Sequence, residues 1–139
     1  MTPAQIRIVR QSFARAEPCR HRVSDLFYRN LFDVDPTFRL LLPRHIGSRR
    51  AKLLEAVAVM VDNLHRPDMF IPALEVLAVR HFGYGLEQSH YAVVREALLR
   101  TVRAVAGPDA EVESAWAAAY DFIAARMIAV EQDELRLAA

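Results

Sequence analysis

Apolar residues return every three or four positions along almost the whole chain, the spacing of one face of an α-helix. The first such segment opens on Thr2, Pro3 and Gln5. Threonine can cap, proline suits the first helical position because its missing N–H would be unpaired there, and glutamine three residues on completes a capping box. This helix is predicted to fade near Pro18. A second follows with Val23, Leu26, Phe27, Asn30 and Leu31 on one face, and it is expected to stop around Asp33. Asp35-Pro36 reads as a fresh cap for a short helix through Phe38 and Leu41. Pro43 to Gly47 reads as a loop and Ser48 as the cap of a fourth helix, striped by Leu53, Val57, Met60, Val61 and Leu64. Pro67 begins a fifth, with Phe70, Leu74, Leu77 and His81 on its stripe and a stop at Gly83-Tyr84-Gly85. The sixth carries Tyr91, Val94, Leu98, Val102 and Val105 and breaks at Gly107-Pro108. The last runs from about Asp109 past Trp116, Tyr120, Ile123, Met127 and Val130. Strand alternation and Asn-Gly or Asp-Gly hairpin turns are missing. The pattern predicts an all-α fold of about seven helices around one core, a single domain over residues 1–139.

Composition narrows the function classes. With 139 residues, 53% hydrophobic and 25% charged, the chain is of ordinary globular make-up and long enough to bury a core without a metal or disulfide staple. Eighteen Lys and Arg against seventeen Asp and Glu leave a net charge of +1, which removes any whole-protein attraction to nucleic acid or anionic membrane. The single cysteine, Cys19, cannot form an internal disulfide and is expected to sit buried near the start of the second helix, in a reducing compartment. The N-terminus lacks a signal-type apolar core, and the longest apolar run, Ala56 to Val61, is far too short to span a bilayer. A soluble, cytoplasmic protein is the expectation.

His81 is the most unusual polar residue, because it closes an otherwise apolar stripe. Two readings stay open on position alone: a core histidine donating to a backbone carbonyl, or a metal ligand. The remaining histidines, at 21, 45, 65 and 90, have no spacing that completes a zinc site, and HExxH and CxxC are absent. A metal on His81 would therefore bring its other ligands with a cofactor. Haem needs one protein ligand and a wide apolar slot, and such a slot is available between the helix of His81 and that of Leu53 and Val57. Arg49 lies one turn before Leu53 and by default reaches to water. Tyr28 lies just off the face of Phe27 and Leu31, by default a core-edge aromatic with its hydroxyl satisfied. Tyr91 and Glu131 sit on or beside inward stripes; a buried carboxylate at 131 needs a partner, and a solvated glutamate is the default alternative. No glycine-rich phosphate loop or Gly-x-Ser-x-Gly elbow is present, and Arg49-Arg50 with Lys52 reads as a solvated face.

Several stretches carry a resemblance: Thr2-Pro3-Ala4-Gln5-Ile6, Asp25 to Phe32, Ala78-Val79-Arg80-His81, His90-Tyr91, and Ala115-Trp116 with Ala119-Tyr120. Together they resemble the single-domain bacterial globins and the globin domain of flavohaemoglobins, nearly end to end. The interval from His81 to Tyr91, with Gly85 between, is the most specific element. The resemblance implies haem b (iron protoporphyrin IX) as cofactor, with His81 as the proximal iron ligand and Arg80 against a propionate. It makes Tyr91 and Glu131 a proximal pair, the carboxylate bonding the other histidine nitrogen and so enriching the imidazole. Tyr28 matches the distal tyrosine that donates a hydrogen bond to bound gas, Leu53 lines the distal wall, and Leu86 lies on the proximal side.

Two positions depart from the family pattern. Leu42 stands where a phenylalanine normally packs flat against the haem, so apolar burial is kept and stacking lost. Arg49 stands where glutamine or histidine is usual. A guanidinium cannot ligate iron, but turned inward it donates to a bound ligand, which implies tighter ferric binding of anions such as azide, cyanide or nitrite. The resemblance therefore implies reversible binding of O2, NO or CO, oxygen binding or delivery, and NO dioxygenation or weak peroxidase activity drawing on an external reductase. The expected state is a monomer or weak homodimer with no nucleic-acid or membrane partner. Two other classes fit the same residues: a haem-based gas sensor acting on a partner, or a globin-fold interaction module without haem.

Overall fold

The computed structural model describes residues 1–41, 47–72, 74–75 and 88–138, with the backbone alone described at 41, 47–53, 67, 88, 131, 134, 135 and 138. Among them lie six α-helices and two 3-10 turns. The helices are α1 (Pro3–Ala16), α2 (Arg20–Val34), α3 (Phe38–Leu41), α4 (Gly47–Asp62), α5 (Gln88–Ala106) and α6 (Ala110–Ala138). The expected capping box opens α1: Gln5 N–H donates to Thr2 Oγ1 at 3.1 Å and Thr2 N–H to Gln5 Oε1 at 2.9 Å. Glu17–Cys19 form a 3-10 turn with Pro18 inside it, so the chain bends where proline ends the first ladder. Asp35 then receives the amide of Thr37 at 3.0 Å and leads into α3. The amide and hydroxyl of Thr37 hold its carboxylate below the usual range.

At the other end of the chain, Gly107 adopts φ +83, a left-handed conformation costly for any residue with a Cβ. Its N–H closes α5 on the Arg103 carbonyl at 3.0 Å. Pro108 cannot extend that helix, and Asp109 caps α6 by accepting the amides of Glu111 and Val112 at 3.0 and 3.3 Å.

The helices pack in two facing sets. α2 lies on α5, α1 on α6, α5 beside α6, and α4 against both α1 and α2. Close approach is allowed by small residues: Ala97 of α5, fully buried, meets α2, while Ala115 and Ala119 of α6 meet α1 and α4. The core divides into two clusters. One joins Val9, Val61, Leu64, Phe70, Leu74 and Met127 to the α6 alanines, and the other joins Tyr28, Leu31, Phe32 and Phe38 to Ala97. Polar bonds staple the sets together. Trp116 Nε1 donates to Ser12 Oγ at 2.8 Å, joining α6 to α1. Asn30 Nδ2 donates to Thr101 Oγ1 at 3.0 Å, joining α2 to α5.

The expectations were met in kind and missed in detail. The all-α fold is observed. The expected fifth helix is seen as a 3-10 turn at Pro67–Met69 and helical residues 71–72 and 74–75, with Phe70 and Leu74 buried as its stripe requires. Residues 76–87 lie outside the described residues. α4 starts at Gly47, so Ser48 is inside the helix and does not precede it. Cys19 is exposed and not buried, because the 3-10 turn turns that corner out of the core. Val105 is 43% exposed although it shares a stripe with buried Val102, since the end of α5 runs past the helices that cover it. The buried side of α2 is Ser24, Tyr28, Leu31 and Phe32, rotated from the predicted face because α5, and not α1, supplies its main packing surface.

Candidate functional site

That rotation decides the position of Tyr28. Expected just off the inward face, it is 7% exposed at the centre of the second core cluster. Phe27 meets it edge-on at 5.5 Å between ring centroids, and Phe32 lies tilted at 6.4 Å. Beyond Phe32, Arg39 places its guanidinium 4.5 Å from the ring centroid, and Phe38 meets His90 edge-on at 5.1 Å. α3 is thereby tied to the start of α5, and both elements brace the helix that carries Tyr28.

Between the two core clusters lies a cavity of about 740 Å³. Phe27 and Tyr28 reach it from α2, Leu54 and Val57 from α4, and Val94 and Leu98 from α5. Its wall is overwhelmingly hydrocarbon, and the hydroxyls of Ser12, Thr101 and Tyr120 on it are engaged with protein. Ser12 Oγ donates to the Ile8 and Val9 carbonyls at 2.8 and 3.1 Å while accepting from Trp116. Thr101 Oγ1 donates to the Ala97 carbonyl at 2.8 Å while accepting from Asn30. Tyr120 donates its hydroxyl to the Tyr91 carbonyl at 2.7 Å. Burial pushes the Tyr120 phenol well above its ordinary value, so it stays a neutral donor.

The cavity's hydrocarbon wall favours an apolar guest over solvent.

Of the residues that sequence reasoning assigned to a site, the structure brings Tyr28 and Val57 to this cavity. Tyr91, half-buried in the first turn of α5, packs against the first core cluster and is tied through its carbonyl to Tyr120. Arg49 and Leu53 lie on α4 and Glu131 on α6 by backbone position, with side chains outside the described residues. Leu42, Arg80, His81 and Leu86 also lie outside them. Three structural participants escaped the sequence: the Ser12–Trp116 bond, the Asn30–Thr101 bond, and the hydroxyl of Tyr120. The first two pair residues 104 and 71 positions apart, and no local spacing signals such a partner. Tyr120 was legible as a member of the inward stripe of α6 and of a stretch that carries the resemblance, but not as a hydrogen-bond donor.

Comparison with known proteins adds an independent line. The family model described as Globin matches residues 26–127. A flavohemoprotein of Bordetella parapertussis is 32% identical over 111 residues, covering 76% of this chain and 28% of its own length. One from Bacillus cereus is 29% identical over 135 residues, covering 92% of this chain and 33% of its own. The chain thus spans about a third of the length of the curated relatives it matches. Among solved structures, a bacterial globin of Campylobacter jejuni superposes with a TM-score of 0.88 at 22% identity, covering 97% of this chain and 99% of that one. An engineered carbene transferase from Rhodothermus marinus superposes at 0.87 with 25% identity, covering 100% and 99%.

Proposed function

This chain belongs to the globin family, and from that premise we propose that it is a cytoplasmic b-type haem protein that reversibly binds O2 or another diatomic gas. The observation that carries the reading is the apolar cavity between the two core clusters, with Tyr28 on its wall. A porphyrin is largely apolar, and a hydrocarbon-walled space of this volume fits one. Haem, when bound, supplies the iron that takes up O2, CO or NO.

The protein's own residues set what that iron can do. In this reading His81 would supply the protein ligand to the haem iron, and Arg80 would pair with a propionate. Glu131 and Tyr91 would hold the second imidazole nitrogen as an N–H donor, which would fix the ring and strengthen its donation. Leu42, Leu53, Val57 and Leu86 would keep water from the haem, the Tyr28 hydroxyl would be the donor available to a gas ligand, and Arg49 would add a cation. NO dioxygenation belongs to the same reading and requires electrons from an external reductase. The flavohemoprotein relatives, about three times as long, suggest the kind of partner.

The direct test is an absorption spectrum of purified protein, with a Soret band that moves when CO is added; a featureless spectrum after haem supplementation refutes the reading. Tyr28→Phe is expected to speed O2 dissociation by about 5- to 30-fold, the equivalent of a hydrogen bond worth ~1–2 kcal/mol to a partly charged acceptor. CO dissociation should change far less, and stopped-flow ligand exchange reads both. For Arg49→Leu, azide affinity of the ferric protein is expected to fall about tenfold, by loss of one charge-assisted bond. An unchanged azide titration would show that Arg49 points elsewhere.

A further inference from the structure

We propose that Tyr120 and Asp121 of α6 are positioning residues for Tyr91: they clamp the first turns of α5 and so set where the Tyr91 side chain stands relative to the histidine it is assigned to. The clamp is read from geometry alone; what it positions rests on the haem reading above.

Two neighbouring residues of α6 take hold of two groups one turn apart on α5. Tyr120 donates its hydroxyl to the Tyr91 carbonyl at 2.7 Å. Asp121 accepts twice from Arg95, from Nε at 2.8 Å and from Nη2 at 3.2 Å, a forked pairing that fixes direction as well as distance. Within an α-helix the amide of residue 95 is directed at the carbonyl of residue 91, so both ties bear on one hydrogen-bonded turn. Glu96, the acid next to Arg95 in the chain, is engaged by Arg100 at 3.1 Å, which leaves the Arg95 fork to Asp121.

Position along the helix gives these ties their use. Tyr91 is the fourth residue of α5, on the turn whose amides lack intrahelical partners and where a helix frays first. A side chain needed at a fixed point is badly placed there unless something outside the helix holds the turn. Farther on, Arg103 donates to Glu113 at 2.8 Å. From the Arg95–Asp121 pair this is eight residues forward on α5 and eight back on α6, equal and opposite steps that mark an antiparallel register. Carried the other way, that register takes α6 past the start of α5 near residue 128, with Glu131 on the backbone just beyond. Side chains lean toward the N-terminus of their helix. Tyr91 therefore leans from its clamped turn toward that stretch, and it packs on the cluster that includes Met127. The side chains of Arg95 and Asp121 are 41% and 57% exposed, and an exposed pair contributes little to stability. Cutting it changes where the turn stands, not whether the chain folds.

The clamp and its use are tested separately. In the full chain as purified, Tyr120→Phe is expected to speed hydrogen exchange at the Arg95 amide about fivefold, the factor for one lost hydrogen bond, with the Thr101 amide unchanged. Asp121→Ala, at an exposed position, is expected to speed it too. With haem bound, both variants are expected to move the iron–histidine stretching band of the ferrous protein to lower frequency in the resonance Raman spectrum, because a displaced Tyr91 weakens the hold on the second imidazole nitrogen. Asp121→Glu, which keeps a carboxylate within reach of Arg95, is expected to keep the band in place. Glu113→Ala, which cuts the other tie between the two helices, is expected to leave it unmoved. Unchanged exchange at Arg95 in both Tyr120→Phe and Asp121→Ala overturns the clamp. Faster exchange with an unmoved band, or an equal shift in Glu113→Ala, overturns the positioning role and leaves the haem reading standing. A chain that takes up no haem refutes that reading and the positioning role with it, and the exchange result then decides the clamp alone.

Discussion

Replacing His81 by alanine is expected to abolish the Soret band of the purified protein, and imidazole added to the solution is expected to restore it. The expectation follows from the division of labour in the proposed site. Hydrocarbon contacts from Phe27, Leu54, Val57, Val94 and Leu98 are non-directional and would hold a porphyrin without fixing its iron. The one protein bond to the iron would come from the His81 imidazole, and no other side chain in the proposed set would replace it. Arginine cannot ligate, and Tyr28 is held between Phe27 and Phe32. Imidazole rescue separates lost ligation from lost folding, since a misfolded chain gains nothing from it. A full-strength Soret band in the alanine variant would remove His81 from the site.

The second large effect is on stability. Stripping haem from the protein is expected to lower its melting temperature by about 15 °C. A ligand present at a thousand times its dissociation constant contributes ~4 kcal/mol to the native state, and in a domain of this size each kcal/mol moves the midpoint by about 4 °C. The loss should also be uneven. The α1–α6 pairing has its own buried cluster and the Ser12–Trp116 bond, whereas the cavity wall on α4 and α5 gives up its guest. Hydrogen exchange should rise first at Leu54 to Met60 and Val94 to Leu98 and last in α1 and α6. A melting temperature that does not depend on haem would show that the cavity closes by itself, and the packing argument would then fail.

Much of this protein was legible residue by residue. The Thr2–Gln5 capping box, the break at Gly107-Pro108 and the cap at Asp35 are local devices. Each involves groups within a few positions of one another, so spacing alone identifies them. The fold class was legible for the same reason: helical periodicity is a local property. Burial was less so. Cys19 and Val105 fit inward expectations yet are exposed, because periodicity states which face is apolar but not whether another helix reaches far enough to cover it. Of the candidate residues that the sequence offers, Tyr28 and Val57 line the cavity. That Tyr28 lies in the core and not at its edge depended on the rotation of α2 toward α5.

What the sequence determined by itself is the set of helices, their ends, and the residue types available for an iron site, since each follows from interactions along a few turns of chain. What only the tertiary structure decided is where those helices leave room. The split of the core into two clusters, the space of about 740 Å³ between them, and the long-range bonds of Ser12, Asn30 and Tyr120 arise from crossings between helices far apart in the chain. Small residues such as Ala97 and Ala119 let the helix axes approach, and the approach of the axes, which no spacing records, sets the shape of what remains between them.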